Sequence, residues 1–268
     1  MANTVYENFY LENEVEDQFN SHLDLLRFCT HDSTLEGTAG MKKIVNVYSA
    51  TDGTEKLAQG VGNSKSIAVS YTQKEYDILL AQNRFEWYDE EAMKDPMLVP
   101  VGMKHAGTDM FNTVQGDVFG EFKKASRTVT VTAFNFEAFA DAVAELGIEG
   151  DENVEIFAFV SPKAKAAARK ALKDELKYVE AFARSGYIGT VCGVNLYDKK
   201  NADDGEICVG TRRAVTVFTK KGTNVEQIVE GSRGADDANI RKNTAISRKY
   251  YVAALTDDTQ AVRIVLSA

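Results

Sequence analysis

The segment "KKIVNVYSATDGTEKLAQGVGNSKSIAV", Lys42 to Val69, constrains this chain more than any other. Two β-prone stretches, Ile44 to Tyr48 and Ser66 to Val69, flank a polar tip carrying Gly53, Lys56, Gly60 and Gly62, the pattern of a long hairpin. A two-stranded ribbon is marginal on its own, and this tip has too few large apolar side chains to pack inside its own subunit. The hairpin is therefore expected to project and to rest on something else. The rest of the chain is able to support it, because 44% of the 268 residues are hydrophobic and 26% charged, the balance of a globular protein.

Ahead of the hairpin, residues 1–40 read as an arm. Val5, Phe9, Leu11, Val15 and Phe19 are sparse, and Glu7, Glu12, Glu14, Glu16 and Asp17 make the segment acidic. Such a segment gains order by lying on another surface. After the hairpin, strand character continues around Tyr71, Tyr76, Ile78 and Leu80, then through Phe85 and Trp87. A long helix is predicted from Met97 to about Lys124, with Pro100 in its first turn and Val101, Lys104, Thr108, Phe111, Gln115 and Phe119 on one face; Gly107, Gly116 and Gly120 weaken it. "FNFEAFADAVAELG" is a second helix, capped by Asn135 and ended by Gly147. A strand, "VEIFAFV", follows, and Ser161 with Pro162 opens a third helix in "PKAKAAARKALKDELK". The remaining sequence is mostly strand: "ICVGTRRAVTVFT", "VEQIVEG", "AISRKYYVAALT" and "AVRIVL". This order fits an α+β protein of two lobes that share strands better than a doubly wound fold.

Few residues carry chemistry. "GYIGTVCGVNLY" places Gly186, Gly189 and Gly193 between helical and strand-forming sequence, the reverse of the strand-to-helix order that a phosphate-binding turn needs, and no GK[ST] triplet accompanies it. These glycines read as a tight backbone connection, and no cofactor is expected. His22, His31 and His105 make no metal-ligand spacing, and Cys29, Cys192 and Cys208 form no CxxC pair. Adjacent acids such as Asp89, Glu90 and Glu91, or Asp203 and Asp204, read as solvated ion-pairing groups. A net charge of -9 argues against a protein whose main task is gripping nucleic acid. No run approaches the roughly 20 apolar residues of a membrane helix, and the first residues lack signal-peptide character, so a cytosolic protein is expected. Basic residues gather late, at Arg212, Arg213, Lys220, Lys221, Arg233, Arg241, Lys242, Arg248 and Lys249, a basic face open either to nucleic acid or to the acidic arm of a neighbour.

Three segments together resemble the major capsid proteins of tailed bacteriophages with the Hong Kong 97-like fold. "YDILLAQNRFEWYDEEAMKDP" resembles the passage from the extended loop into the spine helix. "FAFVSPKAKAAARKALK" with "SGYIGTVCGVNLY" resembles the strand, helix and glycine-bearing turn of the axial domain, and "ISRKYYVAALTDDTQAVRIV" the closing strands of the peripheral domain. The resemblance spans the chain from about Lys42 onward. It implies an arm (1–40), an extended hairpin loop (41–75), a peripheral domain with the spine helix (76–133), an axial domain (134–231) and closing peripheral strands (232–268). It further implies a structural protein rather than an enzyme, a subunit of hexamers and pentamers in an icosahedral shell. Such a shell assembles in the host cytoplasm around double-stranded DNA touched non-specifically, with portal, scaffold and decoration proteins as partners. The hairpin residues Gly53, Lys56, Gly60 and Gly62 would then lie between subunits, with Lys56 at the location of a cross-linking lysine of some members. Glu12, Glu14 and Glu16 would make arm contacts, and Gly186, Gly189 and Gly193 would shape the axial backbone. The short arm is expected to leave no place for an internal scaffold. Two other readings remain beside this one: an encapsulin-like shell around an enzyme cargo, and a soluble α+β enzyme.

Overall fold

The computed structural model describes residues 23–148, 154–173 and 189–267. Along the chain, β1 (Thr30–Asp32) precedes the hairpin strands β2 (Lys42–Ala50) and β3 (Val69–Asp77), and β4 (Leu79–Tyr88) follows at once. Two helices come next, α1 (Asp89–Lys94) and the long α2 (Leu98–Phe122), then β5 (Thr128–Val131), α3 (Phe136–Leu146), β6 (Ile156–Val160) and α4 (Pro162–Ala171). The remainder is β7 (Thr190–Val191), β8 (Val194–Asp198), β9 (Glu206–Thr211), β10 (Val215–Ile228), α5 (Ala235–Asn239), β11 (Lys242–Leu255) and β12 (Ala261–Leu266).

These strands form three sheets. One is four-stranded in the order β1-β10-β11-β4, one six-stranded in the order β5-β12-β9-β6-β8-β7, and the hairpin β2-β3 stands apart. The expected division between residues 231 and 232 does not follow them. β10 lies before that boundary yet pairs with β11 in the four-stranded sheet, and β12 lies after it yet joins β5 and β9 in the six-stranded one.

The six-stranded sheet is buried on both faces, which explains why "IFAFV" reads as an unbroken apolar run. Successive side chains of a strand point to opposite faces. Ala158 and Val160 therefore meet α3 and α4 in one core with Phe139, Ile207 and Ile264, while Phe157 and Phe159 meet α2, β10 and β11 in the other. The second core is aromatic at its centre, where the Phe122 ring lies 5.7 Å from that of Phe157 and 5.3 Å from that of Phe159. Local signals set the helix ends as expected. Asn135 Oδ1 accepts from the Ala138 amide (3.0 Å), Gly147 closes α3 with φ +62°, and Ser161 Oγ accepts from the Ala164 amide (3.0 Å) ahead of Pro162.

Three expectations need correction. Residues 23–40 are not arm: Leu25, Phe28 and Cys29 are buried in the aromatic core, and β1 runs parallel to β10. The hairpin's second strand is Val69–Asp77 rather than Ser66–Val69, with unbroken register from Lys42↔Asp77 to Ala50↔Val69. The buried face of α2 comprises Met110, Val114, Gln115, Val118, Phe119 and Phe122, confined to its C-terminal half, while Lys104 is exposed.

Candidate functional site

The hairpin is built as two ends with different tasks. In an antiparallel pair, directly opposed residues share a face. On one face Tyr76 stacks on Phe218 (5.3 Å), and its opposite number Lys43 pairs with Asp32 at 2.9 Å, so the root is tied to the body. The other face carries Ile44, Tyr48, Val69 and Tyr71, which are 52, 66, 66 and 62% exposed. Tyr48 opposes Tyr71 with ring centroids 6.0 Å apart, and nothing in the described chain covers them. Leu57, Val61 and Ile67 extend this apolar exposure into the tip. A row of exposed apolar groups on a projecting ribbon marks a contact surface.

The tip, residues 51–68, has its own hydrogen bonds. Asn63 Nδ2 donates to the Gly53 carbonyl (2.9 Å), and Glu55 accepts from the Ser64 amide (2.9 Å) and hydroxyl (2.8 Å). The Ser64 bonds, backbone first, hold the Glu55 carboxyl below its ordinary pKa. A β-carbon at Gly53 would sit 2.7 Å from Ile67 Cγ1 and 2.9 Å from its backbone nitrogen, so the two sides of the tip approach through that glycine. Gly60 turns the chain with φ +86°, and Lys56 is exposed. Nothing in the structure requires glycine at position 62.

Beside the hairpin's exit, a groove of about 610 Å³ runs between α2, the start of β4 and β11. Leu79 and Leu80, both exposed, form one wall, and Gly116 and Gly120 leave the helix side open. Asp117 accepts the Tyr251 hydroxyl at its floor; burial first, and this bond second, raises the Tyr251 pKa.

The late basic residues are largely committed within the chain, which removes the free basic face expected of them. Arg233 grips Asp89 with both terminal nitrogens (2.9 and 2.6 Å), and Asn243 Nδ2 donates to the same carboxylate (2.8 Å). Arg241 pairs with Glu90, Lys242 with Glu86 and Asp237, and Arg248 with Glu226. Lys220, beside a register shift in β10, donates to the carbonyls of Leu35 and Thr38. Asp89 and Glu90 are thus ion-paired, while Glu91 accepts from the Tyr88 amide (3.0 Å) at the start of α1.

Two further contacts escaped the sequence reading. The buried Gln115 receives the Leu25 amide on Oε1 (2.6 Å) and donates from Nε2 to Asp24 (2.9 Å), anchoring the start of the described chain to α2. Arg27 lies over the rings of Phe28 (4.6 Å) and Tyr197 (5.1 Å). Glu12, Glu14, Glu16, His22 and Gly186 lie outside the described residues. Gly189 accepts the Leu196 amide on its carbonyl (2.9 Å), and Gly193, φ +79°, forms with Cys192, φ +48°, the two-residue turn joining β7 and β8. Burial pushes the Cys29 and Cys208 thiols up to about 12, which leaves them almost wholly protonated at neutral pH. Among the described residues no cluster of metal-ligating side chains occurs, and no helix is long and apolar enough to cross a membrane.

No protein-family model matches the chain, and no curated protein is significantly similar in sequence. Solved structures are similar in fold. The capsid of cyanophage P-SCSP1u superposes with a TM-score of 0.72 at 10% identity, over 90% of this chain and 86% of that one. The mature capsid of bacteriophage PhiM1 gives 0.70 at 13%, over 90% and 86%. The chain has the Hong Kong 97-like capsid fold. A virus-like particle from Pyrococcus furiosus shares this capsid fold across 96% of the present chain and 98% of its own, with a TM-score of 0.59 at 14% identity.

Proposed function

We propose that the chain is the major capsid protein of a tailed bacteriophage, assembling as hexamers and pentamers into an icosahedral shell around double-stranded DNA. The observation that carries this reading is the near end-to-end likeness to capsid subunits, joined to a hairpin whose apolar face its own chain leaves uncovered. In this reading the four-stranded sheet with α2 as spine is the peripheral domain, the six-stranded sheet with α3 and α4 is the axial domain, and the hairpin with Gly53, Lys56 and Gly60 lies across a neighbour. Gly189 and Gly193 shape the axial backbone, and Glu12, Glu14 and Glu16 belong to the arm. The protein acts as a structural part of the virion, assembled in the host cytoplasm with scaffold, portal and decoration proteins. Its net charge of -9 suits a shell wall that DNA touches without being gripped.

The test is electron microscopy of the purified full chain in negative stain. Closed shells or rings of five and six subunits are expected; a protein that stays monomeric at every concentration and salt tried overturns the proposal. The Pyrococcus furiosus likeness supports one second reading, a cellular shell with a protein cargo. Nucleic acid recovered from shells purified from the natural source favours the phage capsid, and an enclosed enzyme the other.

A further inference from the structure

The four-stranded sheet ends on an open edge. In the order β1-β10-β11-β4, β4 pairs only with β11, and no strand among the described residues takes its other side. The groove of about 610 Å³ beside α2 borders the start of β4, and a second cleft of about 260 Å³ continues it past Ala81 and Gln82 to Asn83 and Asp109. Folded proteins cover or break such an edge, because its free backbone groups pair with any extended chain. Residues 79–83, which line both clefts, contain no charge and no proline to discourage pairing. Along β4 the exposure alternates: Leu80, Gln82 and Arg84 are exposed, while Ala81, Asn83 and Phe85 are half-buried on the α2 side. Asn83 Nδ2 donates to the Ala106 carbonyl (2.7 Å), but its Oδ1 is buried with no hydrogen-bond partner among the described residues. This end of the groove calls for a donor.

Pattern and reach point to one occupant. In "LENEVE", residues 11–16, Leu11, Asn13 and Val15 alternate with Glu12, Glu14 and Glu16. As a strand beside β4, this segment turns Leu11, Asn13 and Val15 toward α2, where Gly116 and Gly120 leave room, and all three carboxylates to the exposed side shared by Leu80, Gln82 and Arg84. Asn13 then brings the amide donor that Asn83 Oδ1 lacks. The Leu25 amide bonds to Gln115 Oε1 (2.6 Å), so the chain leaves α2 one residue from Gly116, and Asp24 attracts Lys249, whose cross-strand partner Ala81 lines the groove. Seven residues of chain from Leu23 back to Glu16 span at most about 25 Å, more than the width of a helix, about 10–12 Å. We propose that residues 11–16 add a fifth strand to the open edge of β4, with Leu11 and Val15 in the groove beside α2. Main-chain hydrogen bonds give such an addition its affinity, and the pockets for alternate side chains give it its register. Tethering favours the chain's own segment over a neighbour's, because the short span gives it a high effective concentration. The inference rests on edge, pattern and reach, and holds or fails independently of the capsid reading.

Photocrosslinking of the full chain tests it, with benzoylphenylalanine at position 11 and the joined peptides identified by mass spectrometry. Equal parts of heavy- and light-isotope chains, combined before assembly, separate contacts within a chain from contacts between chains. Links to residues 79–83 or 113–120 of the same chain are expected. Links only to other segments, links only between chains, or no links overturn the proposal. A second measurement uses Leu11→Ser/Val15→Ser, which leaves every described residue unchanged. Cleavage after Glu12, Glu14 and Glu16 by a glutamate-specific protease, taken relative to the same bonds in the denatured chain, is expected to rise several-fold over the parent. Equal relative cleavage in parent and variant also overturns it.

Discussion

The ring of Phe85 lies directly over the α-carbon of Gly102, so close that a β-carbon there would come within 2.2 Å of Cζ. The ring has little freedom to retreat, because it stacks on Trp87 at 5.1 Å. Replacing a helix glycine by alanine ordinarily stabilises by about 1 kcal/mol. At Gly102 the overlap wins, and Gly102→Ala is expected to destabilise by about 1–3 kcal/mol. Gly107→Ala, with open space around its α-carbon, is expected to stabilise by about 1 kcal/mol. Urea denaturation of the two variants decides this: shifts of the same sign would refute the account.

Acid should loosen the tie between the start of α1 and the approach to α5. The Arg233 hydrogen bonds, and then that of Asn243, hold the Asp89 carboxyl below its ordinary pKa. A carboxylate with a depressed folded pKa contributes its stabilisation fully above the unfolded value, about 4, and loses it as pH falls through the folded one. Asp89→Asn is therefore expected to be less stable than the parent at pH 7, with the gap closing below about pH 4. A gap that stays constant from pH 7 to pH 3 in urea titrations would show that the charge is not what matters.

Gly193 tests the turn between β7 and β8. Its φ of +79° costs a residue with a β-carbon about 1–2 kcal/mol, and valine most of all because of its branching. Gly193→Val should lower stability by that order, with no effect of added nucleotide on parent or variant. Nucleotide-dependent stabilisation in a thermal shift assay would contradict a purely structural glycine.

The hairpin separates folding from assembly. Tyr48 and Tyr71 are exposed in the subunit, so Tyr48→Ser/Tyr71→Ser should move its unfolding free energy by no more than about 0.5 kcal/mol per substitution. The same variant is expected to abolish shells seen in negative stain. Normal shells would remove the tyrosine face from the intersubunit contact.

How far the sequence spoke depended on distance along the chain. Caps at Asn135, Ser161 and Gly147 act over three or four residues and were legible. "LDLLRFC", residues 23–29, was not: Phe28 finds its partners at Phe157 and Phe159, well over a hundred positions later. Asp89 and Arg233 are separated by 144 residues and read alone as ordinary surface charges. β10 looked like two strands because polar "TKKGT" interrupts it; register shifts around Lys221 absorb the interruption and let the strand continue. The second hairpin strand, "VSYTQKEYD", is mostly exposed, so no burial imposes the alternation by which strands are recognised. At the tip, the need for glycine at 53 and 60 is visible only from the close approach to Ile67 and the positive φ.

The order of strands bears on when a ribosome-bound chain becomes a subunit. β11 lies between β10 and β4, and β12 between β5 and β9, so each large sheet has an interior position filled only by residues 242–266. A nascent chain that has emerged through residue 230 exposes facing edges of both sheets with nothing between them, and the hairpin already stands beside them. Fragments halted during synthesis thus lack the joined body that the hairpin needs as a base, and in the capsid proposed above they would have no footing from which to enter a growing lattice. In that proposal, translation of β12 sets the earliest moment at which copies would recognise one another.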